Sequence, residues 1–180
     1  MKNLYRPLNI PVSFLSREFN KKKYTRVRHQ SFDRSDISDE YLLWISSLGI
    51  VLHHAEVFFS IPNIQYEIHQ DYSTLTDFPK INWIFGNSTS RMNWYTSLNE
   101  IAVSISKTKI NTPYVGFKLK DVNLLHSVEL PSPSLVQAGI PHNVITLNDF
   151  RWCVSTVYTR NDKFLSFNEA VDIFTPFIIN

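Results

Sequence analysis

The sequence predicts a mainly β fold, a sandwich or barrel with one leading helix. Three observations carry that expectation. From Ile50 onward, short runs rich in Val, Ile, Phe, Tyr and Trp recur at near-regular spacing, as they do in all-β sandwiches and barrels. Turn-forming clusters separate them: Ile61-Pro62-Asn63, Gly86-Asn87-Ser88, Asn111-Thr112-Pro113, Pro131-Ser132-Pro133 and Leu147-Asn148-Asp149. Helical spacing is confined to residues 35–47 and a short closing segment at 167–174.

Taken in order, residues 8–14 are a candidate first strand. In 35–47 an Asp and Ser start is followed by Tyr41, Leu42, Trp44 and Ile45 near helical spacing, and Gly49 is the stop. Strands are then expected at 50–59, 66–69, 80–85, 92–97, 114–119, 124–129, 135–138, 143–146 and 151–158. There is no internal repeat and no low-complexity segment. With only 4 glycines, Gly-rich phosphate loops are excluded, and most of the 9 prolines punctuate the apolar runs.

A chain of 180 residues, 43% hydrophobic and 14% aromatic, can bury roughly two-thirds of its unfolded surface in one core. One domain over 1–180 is expected, its core at about 35–160. The net charge of +2 is too mild to imply a polyanion partner. The one basic run, Lys21 to Arg28, reads as a solvated face, so nucleic acid is an unlikely partner; His29 beside it is expected to face solvent. Cys153 is the sole cysteine, which rules out a disulfide framework and fits a reducing compartment. Met1 to Pro11 lacks the apolar core of a signal peptide, and no apolar run approaches the ~20 residues of a membrane span. A soluble, cytoplasmic protein is the expectation; oligomeric state is not legible.

The chemistry starts at Glu67-Ile68-His69-Gln70-Asp71-Tyr72. On a strand, positions i and i+2 share a face, so His69 and Asp71 project together. Imidazole plus carboxylate suits Fe(II), Mn(II) or Zn(II). The same two residues alone could equally be a hydrogen-bonded pair at a strand edge. A third ligand must come from His29, His53, His54, His126 or His142. His142 stands out, because the turn Gly139-Ile140-Pro141 delivers it to the start of a strand. His53 and His54 are adjacent, so on a strand they face opposite ways, and His126 has no acidic or cysteine neighbour at ligand spacing. His69, Asp71 and His142 would form a facial triad with open positions. Arg151, nine residues past His142, can fork two hydrogen bonds onto a carboxylate.

"HQD" at 69–71, "PHNV" at 141–144 and Arg151 together resemble the Fe(II)- and 2-oxoglutarate-dependent oxygenases. The order of "WISSLGI", "HHAEVFFSIPNIQYEIHQD" and "KINWIFGN" is similar to the small aspartyl/asparaginyl β-hydroxylase-like branch. The resemblance covers residues 35–158 or so, about two-thirds of the chain. It implies a double-stranded β-helix (jelly roll) with a flanking N-terminal helix. It implies Fe(II) held by His69, Asp71 and His142 as the catalytic residues, and 2-oxoglutarate as co-substrate with its distal carboxylate on Arg151. Ascorbate would be an accessory reductant. O₂ is consumed, succinate and CO₂ are released, and a C–H bond of a small molecule, amino acid or peptide side chain is hydroxylated.

Many members carry Ser or Thr two residues past the arginine; this chain has Cys153, and Ser155 is the substitute on that strand face. Asn82 shares a face with Lys80 and is a second candidate for the co-substrate carboxylate. Tyr95 or Trp94 could floor the pocket, Tyr66 is expected to point away from His69, and residues 104–112, with Lys107 and Lys109, form a candidate substrate-side loop. Two other classes stay open. A cupin-type metalloenzyme normally carries a His-x-His pair, absent here, and leaves Arg151 without a task. A non-enzymatic jelly-roll binding or structural domain predicts no metal affinity.

Overall fold

The longest strands set the architecture. In the computed structural model, which describes residues 4–71, 75–86, 89–98, 104–108 and 112–179, two ten-residue strands lie side by side. They are β3 (Val51–Ser60) and β12 (Arg151–Arg160). The remaining strands are β1 (Tyr5–Pro7), β2 (His29–Ser31), β4 (Ile68–Asp71), β5 (Pro79–Gly86), β6 (Arg91–Ser97) and β7 (Ser104–Lys107). They continue with β8 (Pro113–Phe117), β9 (Val122–Glu129), β10 (Ser134–Gln137), β11 (His142–Ile145) and β13 (Lys163–Phe164).

They form two antiparallel sheets. The larger runs β1-β10-β5-β12-β3-β2, with β13 paired to β12, and the smaller runs β7-β8-β4-β11-β6-β9. Two helices accompany them, α1 (Asp39–Ser47) and α2 (Phe167–Phe174). The mainly β expectation holds at this level.

Alternation along the strands of the larger sheet decides what each face does. Trp152, Val154 and Tyr158 of β12, Ala55, Val57 and Phe59 of β3, and Ile81 and Trp83 of β5 face one way. They pack there against Phe14, Tyr24 and Phe32 of the N-terminal segment, Tyr41 and Ile45 of α1, and Phe167 and Phe174 of α2. This is the main apolar core. Each fully buried Val57, Ile81, Val154 or Phe174 side chain stabilises the fold by roughly 1.5–3 kcal/mol. The opposite face carries Arg151, Cys153 and Ser155, Ser60 and Phe58, and Lys80 and Asn82, which look into a cavity shared with the smaller sheet. The sheet therefore keeps a dry side for stability and a polar side for chemistry.

Several local expectations shift. The helix begins at Asp39, not near 35. Ser38 is extended (φ −71°, ψ 143°) and its hydroxyl accepts the Tyr41 N–H, so it is the N-cap; Arg34–Asp36 is a separate 3₁₀ turn. Leu48 follows the helix and Gly49 takes φ +72°, the left-handed stop that glycine supplies. The first strand is Tyr5–Pro7, and only Leu8 of 8–14 makes a further bridge, to Ile178. Residues Ser104–Lys107 form the edge strand β7 in place of a loop; Lys109 lies outside the described residues. Among the described residues no helix is long and apolar enough to cross a membrane.

Candidate metal centre

The smaller sheet builds the triad directly. His69 of β4 and His142 of β11 are Cα partners in the antiparallel register. Cross-strand partners project to one side, and here the ring centroids lie 4.5 Å apart. Asp71, two residues past His69, joins them on that face. One ligand atom from each of His69, Asp71 and His142 lies within 4.8 Å of the other two, and no other such group of His, Cys, Asp and Glu occurs among the described residues.

The segment before His142 is held firmly. Gln137 Oε1 accepts from the N–H groups of Phe78 and Gly139. At Gly139 a Cβ would sit 2.4 Å from the Leu75 carbonyl and 2.6 Å from the Phe78 nitrogen, so only glycine lets the two backbones approach this closely.

Hydrogen bonds choose the histidine tautomers. His69 Nδ1 lies 3.0 Å from the Glu67 carbonyl and His142 Nδ1 2.9 Å from the Ile140 carbonyl. A carbonyl only accepts, so each Nδ1 carries the proton. In the neutral ring Nε2 is then a bare lone pair, the form a metal takes, and the carbonyls fix the ring orientations. His142 is kept neutral. Burial lowers its pKa first, the neighbouring His69 second, and these outweigh Asp71 to bring it down to about 4. Asp71 is kept ionised. Burial works to raise its pKa, but Lys80, His69 and His142 overcome that and hold it well below the usual carboxylate range. A protonated imidazole cannot ligate and a protonated carboxyl ligates poorly, so both shifts favour metal binding.

The triad opens onto a cavity of about 110 Å³, several times the ~10–15 Å³ a single water needs on this measure. Its apolar walls are Phe58, Met92, Val136, Ala138 and Val144. Arg151, Asn82 and Ser155 also line it: Asn82 and Ser155 stand opposite one another, and Arg151 lies four residues away along β12, opposite Gly86. Ser155 Oγ donates to Asn82 Oδ1 at 2.7 Å across the β12–β5 register. Arg151 is only 3% exposed and its Nε has no hydrogen-bond partner. No ion pair to Arg151 occurs among the described residues. A buried guanidinium is costly to leave without a counter-charge, so Arg151 is the candidate in this cavity for meeting a negative group. Six of the seven sequence-selected residues thus meet in one place.

The seventh, Tyr95, does not. Met92 reaches the cavity, so ordinary alternation along β6 puts Tyr95, three residues on, with Asn93 on the outer face. There it packs with Ile68 and Val122 and its hydroxyl donates to Asn143 Oδ1. Trp94, the Cα partner of His142, lies in a separate apolar cluster with Met92 and Val136, and Met92 is the β6 residue that reaches the cavity.

Tyr66 also departs from expectation: it precedes the regular strand, lines the cavity and donates to Ser60 Oγ and the Phe59 carbonyl. His53 and His54 do not face opposite ways. Val157 pairs with His54 but Tyr158 with Leu52, so the chain bulges at His53, and the two Nδ1 atoms come within 2.7 Å. His29 is not a solvent residue: it stacks on Phe58 and presents Nε2 to Glu56 at 3.5 Å.

Two charged residues of the site escape a reading by motif. Lys80, 4% exposed, places Nζ 2.8 Å from Asp71 Oδ2 and 3.7 Å from Glu56 Oε2. Glu56, also buried, is ringed by Lys80, His29, His54 and the Thr112 hydroxyl, which donates to it. The available signal was their context: a lysine between Pro79 and Ile81, and a glutamate between Ala55 and Val57.

No known protein family matches the chain, and no curated protein does. Among solved structures, it shows a loose likeness to Peruvianin-I, a cysteine peptidase from Thevetia peruviana latex. Identity is 8% over 91% of this chain and 93% of that one, with a TM-score of 0.32. A superposition that loose says nothing of fold or function here.

Proposed function

We propose that the chain is an Fe(II)- and 2-oxoglutarate-dependent oxygenase that hydroxylates a C–H bond of a small-molecule, amino-acid or peptide side-chain substrate. The observation that carries this reading is the meeting, in one buried cavity, of the His69, Asp71 and His142 triad with Arg151, a buried guanidinium with no ion pair among the described residues. The two sheets, with the triad on the inner face of one and Arg151 on the inner face of the other, are read on this basis as a double-stranded β-helix.

The donor set fits the metal. Two neutral imidazoles and one carboxylate suit Fe(II) and leave positions open for co-substrate and O₂. The charges fit the co-substrate. In and beside the cavity, Lys80 and Arg151 balance Glu56 and Asp71. A divalent cation adds two positive charges, and a dianion such as 2-oxoglutarate cancels them.

In this reading His69, Asp71 and His142 hold Fe(II), which when bound supplies the redox chemistry that couples oxidative decarboxylation of 2-oxoglutarate to hydroxylation of the substrate. The balance is R–H plus O₂ plus 2-oxoglutarate giving R–OH, succinate and CO₂. Arg151 forks onto the distal carboxylate, and Ser155 and Asn82, paired with each other farther along β12 and β5, are further polar groups of the cavity wall. That fixes the dicarboxylate along the cavity and orients its keto acid toward the triad. Phe58, Met92, Val136 and Val144 exclude bulk water, which protects the reaction from side paths.

The test is succinate formation by anaerobically purified protein given Fe(II), ascorbate, 2-oxoglutarate and O₂, beside an Asp71→Ala control. Succinate from the wild type and none from the variant is the expected result. No succinate, and no visible absorption band on adding 2-oxoglutarate to the Fe(II) protein without O₂, would sink the reading.

A further inference from the structure

A ligand carboxylate has two oxygens, and the structure treats those of Asp71 differently. Oδ1 faces the histidines, 3.8 Å from His69 Nε2. Oδ2 turns away from them and meets Lys80 Nζ at 2.8 Å. The lysine is not a surface side chain that has folded over the site. It is buried, rises from the strand facing the triad, and sits two residues from Asn82 on the same face.

Its ammonium is gripped from a second side by Glu56 at 3.7 Å, whose other oxygen accepts from Thr112. The Phe58 ring, 6.0 Å from the Lys80 Nζ to its centroid, stands beside it. The one ammonium of Lys80 thus meets two carboxylates, Asp71 at 2.8 Å and Glu56 at 3.7 Å. An ammonium makes point contacts and does not fork, so Lys80 engages one oxygen of Asp71 and leaves the other free.

We propose that Lys80 is a positioning residue for the metal centre: by occupying Oδ2 it confines Asp71 to single-oxygen ligation through Oδ1. This rests on the metal-site reading above. A carboxylate free to turn can chelate a cation with both oxygens, which takes up a coordination position and closes it to an incoming ligand. With Lys80 in place that position stays open for the co-substrate. The cost is metal affinity, because a fixed positive charge lies on the same carboxylate as the cation. Glu56 sets the position of the ammonium and offsets its charge, which explains a buried glutamate that touches no part of the triad.

Cobalt(II) reports on both parts of this proposal, since its visible spectrum responds to coordination number and its binding needs no turnover. The full chain is titrated with Co(II) without O₂, then the Co(II) protein is titrated with 2-oxoglutarate. In Lys80→Met the competing charge is gone and both oxygens are released. Co(II) should bind about tenfold more tightly, with a spectrum shifted toward higher coordination, while 2-oxoglutarate should need about tenfold more to produce its spectral change.

Lys80→Arg keeps the charge, so it guards against a Met variant that does not fold. Its guanidinium can take both Asp71 oxygens, and Co(II) binding should weaken about tenfold. Wild-type Co(II) affinity and wild-type 2-oxoglutarate response in whichever variants fold would overturn the proposal and leave the metal site standing. Failure of the wild type itself to bind Co(II) would overturn both.

Discussion

His69 and His142 owe their readiness for a metal to two backbone carbonyls, those of Glu67 and Ile140, which no sequence motif displays. What the sequence does display is residue type and spacing. His-x-Asp on a strand, a distal Pro-His and an arginine nine residues on were legible, because a two-residue period fixes a shared face and a turn fixes a strand start. Glu56 and Lys80 were not, because their meaning depends on which strand lies opposite.

Arg151 has the clearest expected phenotype. Arg151→Met should keep Mn(II) binding, which the triad provides, yet raise the 2-oxoglutarate KM of succinate formation by about thirtyfold or more. The lost charge-assisted pair is worth roughly 2 kcal/mol or above. An unchanged KM would remove Arg151 from the co-substrate site.

Glu56 carries a pH signature. Burial works to raise its pKa; His29, Lys80 and Thr112 outweigh burial and lower it from 4.5 to about 2. A carboxyl depressed in the folded state stabilises above its unfolded pKa and loses that contribution as pH falls toward the folded value. The gap in urea stability between wild type and Glu56→Gln should be full above about pH 5 and shrink steadily toward pH 3. A gap that stays flat over that window would mean Glu56 is not ionised in the native protein.

At the scale of elements, the long strands announced themselves; among the short ones β4, β10 and β11 were expected near their places and others were not. β3, β5 and β12 alternate or run apolar for eight to ten residues, enough for periodicity to be read. β2, β7 and β13, of three, four and two residues, are made by pairing with a neighbour and carry no pattern of their own. The bulge that brought His53 onto His54 is a failure of strict alternation, whereas Tyr95 left the cavity by obeying it, because Met92 took the inner face. A register slip of one residue reverses every later face.

Two element junctions make direct tests. Ser38→Ala removes the N-cap of α1 and should cost about 1 kcal/mol in urea unfolding, without altering Co(II) affinity, since α1 lies on the far side of the larger sheet. Gly139→Ala drives a methyl group into the backbone of residues 75–78. It should destabilise by about 1–3 kcal/mol and also weaken metal binding, because the turn it distorts delivers His142. A glycine variant that lost stability but bound Co(II) normally would show that turn and ligand are independent.

The whole molecule divides its labour between two faces of one sheet. The helix-covered side holds most of the buried aromatic and aliphatic side chains, and the cavity side holds four of the buried charges. A ligand that binds only the folded state raises its stability. Saturation with Mn(II) at about a hundred times its Kd should add about 2.7 kcal/mol, or roughly 5–10 °C in Tm for a chain of this size. His69→Ala and Asp71→Ala should show no such rise.

The smaller sheet adds a mechanical reading. β7-β8-β4 and β11-β6-β9 are each well paired within themselves, but among the described residues β4 meets β11 through the single register pair His69–His142, and the segment before β4 adds the Gln65–Ile145 bridge and the bonds Tyr66 N–H to Val144 O and Thr146 N–H to Ile64 O. Both histidines of the triad sit on that seam. An ion there rivets two half-sheets together, so stripping it should quicken amide hydrogen exchange along β4 and β11 while β3 and β12 stay protected.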